Sequence, residues 1–178
     1  AGTYLYVSDK DKHVIWQINI VSGAVTIIAG KWGTSGSTNG TGGAARFNGP
    51  WGLWADSTDL YVCDRDNASI RKVVISSGVV TALATGLDQP YGIYGYGLYL
   101  YVGDPGNNTI WRVTMSSGAK TTFAGIVNTP GTADGAVTVN TMTECYGLDG
   151  DGTNIYFGDN HAIRKLVIAT QVVTTIAG

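Results

Sequence analysis

The sequence has little charge. Asp, Glu, Lys and Arg make up 13% of its 178 residues, about half the share of an ordinary soluble domain. Eleven basic residues face 13 acidic ones, for a net charge of −2. A basic surface, the main source of affinity for nucleic acid, is therefore missing, and that partner class is excluded. Long apolar runs are missing too: none reaches the roughly 18 residues of a membrane helix, so no membrane insertion is expected. Proline occurs four times and glycine shows no three-residue period, which excludes collagen. Disorder is excluded by 44% hydrophobic residues at low net charge. Two cysteines, Cys63 and Cys145, make neither a disulfide framework nor a zinc motif. Two histidines, His13 and His161, and one glutamate, Glu144, leave little material for a catalytic or metal-binding cluster. The chain opens on Ala1 without a secretory signal pattern, which reads as a processed product or an excised piece.

Glycine and aromatic residues are plentiful, with 26 Gly, ten Tyr and five Trp. Their distribution follows an internal repeat. Four segments align: Leu5-Tyr6-Val7-Ser8-Asp9, Leu60-Tyr61-Val62-Cys63-Asp64, Leu100-Tyr101-Val102-Gly103-Asp104 and Ile155-Tyr156-Phe157-Gly158-Asp159. A polar tract follows each Asp. Then come Ile15-Trp16-Gln17-Ile18, Ile70-Arg71-Lys72-Val73, Ile110-Trp111-Arg112-Val113 and Ile163-Arg164-Lys165-Leu166. A further strand ends each copy, as in Gly23–Gly30 and Gln171–Gly178. Three copies are preceded by Pro50-Trp51-Gly52-Leu53, Pro90-Tyr91-Gly92-Ile93 or Cys145-Tyr146-Gly147-Leu148. Val, Ile, Thr and Tyr suit pleated strands, and the Ser-Gly, Asp-Gly and Gly-Asn pairs between them suit tight turns.

Four short strands repeated at about 40 residues predict an all-β chain, a β-propeller of four-stranded antiparallel blades. Blade 1 spans about 1–30, blade 2 about 49–85, blade 3 about 89–125 and blade 4 about 145–178, with long inter-blade loops at 31–48 and 126–144. The run Pro-x-Gly-Leu, Leu-Tyr-Val-x-Asp, Ile-Arg-Lys-Val and Gly-x-Val-Thr-Thr-x-Ala-Gly resembles the NHL-repeat family over nearly the whole chain. The insert Gly40–Pro50 resembles the loop of bacterial secreted or cell-surface members. The resemblance implies an interaction module outside the cell.

Two finer patterns stand out. The repeated Asp residues are spaced 55, 40 and 55 apart, and Trp16, Arg71, Trp111 and Arg164 alternate at one repeat position. The unit of repetition is thus a two-blade module of 95 residues, present twice. Stacking of a Trp on a neighbouring Arg would explain the alternation. The Gly- and Thr-rich inserts between long-spaced blades are expected to be mobile or to touch a partner. Blade 1 lacks the Pro-x-Gly-Leu strand. An incomplete set of blades would expose strand edges and apolar faces, so self-association, or completion of a larger propeller, is expected.

Candidate chemistry is sparse, and no catalytic residue, metal or cofactor is expected. Asp9, Asp64, Asp104 and Asp159 end a strand before a turn, where a carboxylate accepts backbone N–H bonds; they read as turn-stabilising. Asp149-Gly150-Asp151-Gly152-Thr153-Asn154 resembles a calcium loop only in part, lacking the distal glutamate. Cys63 and Cys145 read as small buried residues. Trp51, Tyr91 and Tyr146 share one repeat position at the start of the inner strand, where aromatic groups would ring one mouth of a propeller channel. They are the candidate partner-binding residues, for a protein or alternatively a glycan. The leading expectation is a non-enzymatic, secreted or cell-surface module. The alternatives are the propeller part of a metal-dependent lyase or lactonase with its ligands elsewhere, and a lectin.

Overall fold

Short strands rich in β-branched and aromatic residues account for most of the molecule, as described by a computed structural model covering residues 3–178. The chain divides into two compact units, the first ending at Thr85 and the second running Gly86–Gly178. In the first, β1 (Tyr4–Asp9), β2 (Val14–Asn19) and β3 (Val25–Gly30) form a three-stranded antiparallel sheet. Then follow β4 (Gly40–Thr41), β5 (Pro50–Ala55), β6 (Asp59–Asp64), β7 (Ser69–Val74) and β8 (Val79–Thr85), ordered β4-β8-β7-β6-β5.

The second unit holds two four-stranded sheets. One is β9 (Ile93–Tyr96), β10 (Tyr99–Asp104), β11 (Thr109–Thr114) and β12 (Lys120–Ala124). The other is β13 (Cys145–Gly150), β14 (Asn154–Asp159), β15 (Ala162–Val167) and β16 (Val172–Ala177). The repeat strands of each sheet form an antiparallel meander, the blade of a β-propeller, and β4 joins the second sheet at β8. Among the described residues, blade 1 has no strand on the inner side of β1, which pairs only with β2.

All four blades carry a bulge at the same place, between Ile15/Trp16, Ile70/Arg71, Ile110/Trp111 and Ile163/Arg164. The extra residue lies on the outermost repeat strand, at Ile28, Leu83, Phe123 and Ile176. A bulge turns two successive side chains toward one face. In blade 1 this lets both Ile28 and Ala29 reach the core that blades 1 and 2 share.

That core joins Ile15 and Ala29 of blade 1 to Leu60, Val62, Val73 and Val80 of blade 2. Ala45 and Phe47, from the 31–48 insert, are fully buried in it. The second unit repeats the arrangement. Tyr101, Ile110, Phe123 and Ala124 of blade 3 meet Ile155, Phe157, Leu166 and Val173 of blade 4, and Met142 of the 126–144 insert fills the remaining space. Glycine closes two blades for a steric reason. Gly30 and Gly125 have φ of +95° and +84°, and a Cβ would lie 2.5 and 2.4 Å from the carbonyl oxygens of His13 and Asn108.

Candidate functional site

The repeated carboxylates do more than hold their own turns. Asp64, Asp104 and Asp159 are all buried. Each reaches back to the backbone about 16 residues earlier, just before the blade's inner strand. The Asn48 N–H donates to Asp64 (2.7 Å), the Asp88 N–H to Asp104 (2.9 Å), and the Thr143 and Glu144 N–H groups to Asp159 (2.8 Å each). The amides of Asn67 and Asn107, three residues on, add donors to Asp64 and Asp104. Burial pushes the carboxyls of Asp64 and Asp104 above the ordinary carboxylate range, against the pull of these donors. Asp9 is partly exposed and accepts from Asp11 and Lys12 in its own turn.

The Trp/Arg alternation has a different cause from Trp–Arg stacking. On the same blade face as its carboxylate, Trp111 donates through Nε1 to Asp104 at 2.7 Å. In the Arg blades the guanidinium does this and more. Arg71 Nη1 binds Asp64 at 2.9 Å and also the Arg46 carbonyl, while Nη2 binds the Thr38 carbonyl and Asn39 Oδ1. Arg164 binds Asp159 at 2.6 Å, the Thr141 and Ala133 carbonyls, and Asp134 Oδ1. Both arginines are 1% exposed. Arginine thus stands where a long insert precedes the blade, and pins that insert across the carboxylate. The inserts are also tied at β8 through β4, and through Asp134 to the Thr175 N–H of β16. Arg71 lies over the Phe47 ring, and the cation over Trp111 is Lys120.

The aromatic candidates sit at the inner-strand starts. Trp51 of β5 is 39% exposed and Tyr146 of β13 is 43% exposed. Tyr91 is half-buried, and its N–H pairs with the Gly103 carbonyl. In the second unit, Tyr91 and Tyr146 meet edge to face, with ring centroids 4.8 Å apart. Glycine makes this approach possible. A Cβ on Gly92 would lie 2.3 Å from the Tyr146 carbonyl oxygen, and one on Gly103 would lie 2.2 Å from that of Cys145. In the first unit, Ser8, Lys10, Pro50 and Trp51 line a depression of about 180 Å³, and Ser8 Oγ donates to the Trp51 carbonyl.

The other candidate groups are absorbed by structure. Asp151 accepts from the Thr153 and Asn154 N–H groups at 2.8 and 2.7 Å and from the Tyr156 hydroxyl, so its oxygens close a hairpin. The Asn154 N–H leads in holding its carboxyl well below the ordinary range. His13, at φ +59°, accepts the Gly49 N–H on Nδ1. Cys63 and Cys145 are buried and not in a disulfide; burial pushes the Cys145 thiol up. Among the described residues, no three His, Cys, Asp or Glu side chains are grouped to hold a metal. None of the described helices is long and apolar enough to cross a membrane.

No protein-family model matches the chain, and no curated protein matches it in sequence. Solved structures do. An auxiliary nutrient binding protein from Bacteroides thetaiotaomicron VPI-5482 matches with a TM-score of 0.67 at 15% identity, over 99% of this chain and 54% of that one. A streptogramin B lyase matches at 0.66 and 12%, over 98% and 51%. A chain of a nidogen/laminin complex matches at 0.61 and 14%, over 99% and 76%. The chain thus spans about half the length of the first two. At these identities the likeness is one of fold: four antiparallel blades of a β-propeller.

Proposed function

We propose that this chain is a non-enzymatic, NHL-type β-propeller module that binds a protein partner outside the cell or at its surface. The observation that carries the reading is the Tyr91–Tyr146 pair, an exposed ring and a partly buried one held edge to face by glycine-permitted backbone contact. Rigid aromatic groups give large contact area at low entropic cost. Trp51 offers a second such group on its own unit. The non-enzymatic part rests on the use of the repeated carboxylates. Asp64, Asp104 and Asp159, the groups that catalysis or metal binding would need, are spent on backbone N–H groups, arginine or tryptophan. The extracellular placement is supported by the nutrient-binding propellers of Bacteroides among the structural neighbours.

The same pair favours a second reading, since tyrosine faces also take sugars. Two measurements separate the readings. The immobilised chain is expected to retain a protein from the extracellular fraction of its source, with binding weakened about tenfold or more by Tyr146→Ala. A glycan array that binds wild type and not Tyr146→Ala would replace the protein reading with the lectin one. Stoichiometric metal in purified protein together with turnover would overturn both in favour of a lyase-like enzyme.

A further inference from the structure

The repeat allows each blade face to be compared with its counterpart in another blade, and two faces stand out. The first is the face of blade 1 that carries Leu5, Val7, Ile18 and Val25, which register brings to one side of the sheet. Leu5 is 53% exposed, Val7 39% and Val25 54%. Their counterparts in blade 2, Leu60, Val62 and Val80, are at most 1% exposed, and those in blade 4, Ile155, Phe157 and Val173, at most 2%. The second is the opposite face of blade 4. Ile163 is 47% exposed and Ile176 51%, whereas Ile15 of blade 1 and Ile110 and Phe123 of blade 3 are at most 1% exposed.

These two faces carry the strand residues that meet in the contact within each unit, without the insert residues, Phe47 or Met142, that those cores also hold. Blade 1 lays Tyr6, Ile15, Ile28 and Ala29 on Leu60, Val62, Val73 and Val80. Blade 3 lays Tyr101, Ile110, Phe123 and Ala124 on Ile155, Phe157, Leu166 and Val173. Blade 4 presents the covering set, Tyr156, Ile163, Ile176 and Ala177. Blade 1 presents the covered set. The Trp/Arg alternation fits the same order. Blade 3, a Trp blade, follows blade 2, an Arg blade, through the short linker 86–92. Blade 1 is a Trp blade and blade 4 an Arg blade, so a blade-4-to-blade-1 junction continues the alternation without an insert.

We infer that the blade-4 face of one copy docks on the blade-1 face of a second copy, blade against blade as within each unit. The inference does not use Tyr91 or Tyr146, so it can fail without the tyrosine reading failing. The contact is heterologous, joining two different patches. That makes it separable from a symmetric contact by mixing variants.

Leu5→Lys spoils only the blade-1 face, and Ile163→Lys only the blade-4 face. Both side chains are about half exposed, so the fold is expected to survive, as checked by circular dichroism. Light scattering of wild type should give a concentration-dependent mass above that of one chain. Each variant alone should associate on the order of tenfold more weakly or worse. An equimolar mixture of the two should regain association, because one intact pair of faces remains. A wild type that stays at 18.6 kDa would overturn the inference. Association unaffected by Ile163→Lys, or no recovery on mixing, would overturn it as well.

Discussion

Blades 2 and 3 face the same problem, a buried carboxylate at the end of the second strand, and solve it with different donors. Blade 3 surrounds Asp104 with neutral groups: an indole N–H, an amide and a backbone N–H. Blade 2 places a guanidinium against Asp64 and turns the other Nη–H groups to the 31–48 insert. A Trp suffices where the preceding linker is short. Where a long loop must be laid over the carboxylate, a donor with several arms is needed, and Arg has five N–H bonds in a fixed fork. Blade 4 repeats the blade 2 solution with Arg164. From blade 2 to blade 4, the alternation in sequence is therefore a record of where the inserts are.

The comparison breaks first at the arginine. Arg71→Met leaves Asp64 buried without its counter-charge and is expected to cost about 3–5 kcal/mol, read from the denaturant midpoint. Residues 31–48 should also become the first site of limited proteolysis. The double variant Asp64→Asn/Arg71→Met should recover part of the loss, since a neutral amide oxygen still accepts the Asn48 N–H and no charge is stranded. Trp111→Phe deletes one neutral donor while Asn107 and the Asp88 N–H stay on Asp104. About 1–3 kcal/mol is expected, with no new proteolytic site. Equal losses at Arg71 and Trp111 would sink the distinction drawn here.

A smaller effect sharpens it. Residues four beyond Asp64 and Asp104 are both left-handed, Ala68 at φ +51° and Asn108 at +57°. Alanine pays for that conformation where asparagine tolerates it. Ala68→Asn should raise stability by roughly 0.5–1 kcal/mol, visible as a higher melting temperature.

The smallest effect separates the two inserts. Arg71 holds the neutral Asn39, whereas Arg164 holds Asp134. The Thr175 N–H leads in keeping the Asp134 carboxyl below its ordinary value, with help from Arg164. A lowered folded value means that this contribution is complete above the unfolded carboxyl range, about pH 4. It is lost as pH falls through the folded value. Amide protection at 126–144, taken relative to the intrinsic exchange rate at each pH, should therefore fall below about pH 4, while that at 31–48 holds. Asp64 has the opposite sign, because burial raises its carboxyl, so acid does not release the first insert by that route.

Much of this architecture is written in side chains and so is legible in the sequence. Hydrophobic pattern and turn residues mark each strand of the repeat, and the absent Pro-x-Gly-Leu marks the three-stranded first sheet. The alternation and the long inserts are both visible in sequence, yet their connection is not. The acceptors that join them are mostly main-chain carbonyls, at Thr38, Arg46, Ala133 and Thr141. A carbonyl has no letter in the sequence. The same holds for β4, two residues of Gly and Thr that add a fifth strand at the edge of β8 by backbone bonds alone. The Gly- and Thr-rich inserts look mobile by composition, but Phe47 and Met142 anchor one end of each in a core. Of the aromatic candidates, the repeat position is legible, while the 4.8 Å approach of Tyr91 to Tyr146 depends on backbone contact through Gly92 and Gly103.

Because the arginines grip carbonyls, they are largely blind to the insert's side chains. The two inserts show this: they differ in sequence and are held in one manner. Such a grip tolerates drift. Between the anchored points, residues can be exchanged with little consequence for the blades beneath, much as antibody loops vary on a constant frame. A single buried cation per module would thus make each insert a replaceable part. Grafting the 126–144 segment in place of 31–48 would measure how replaceable it is.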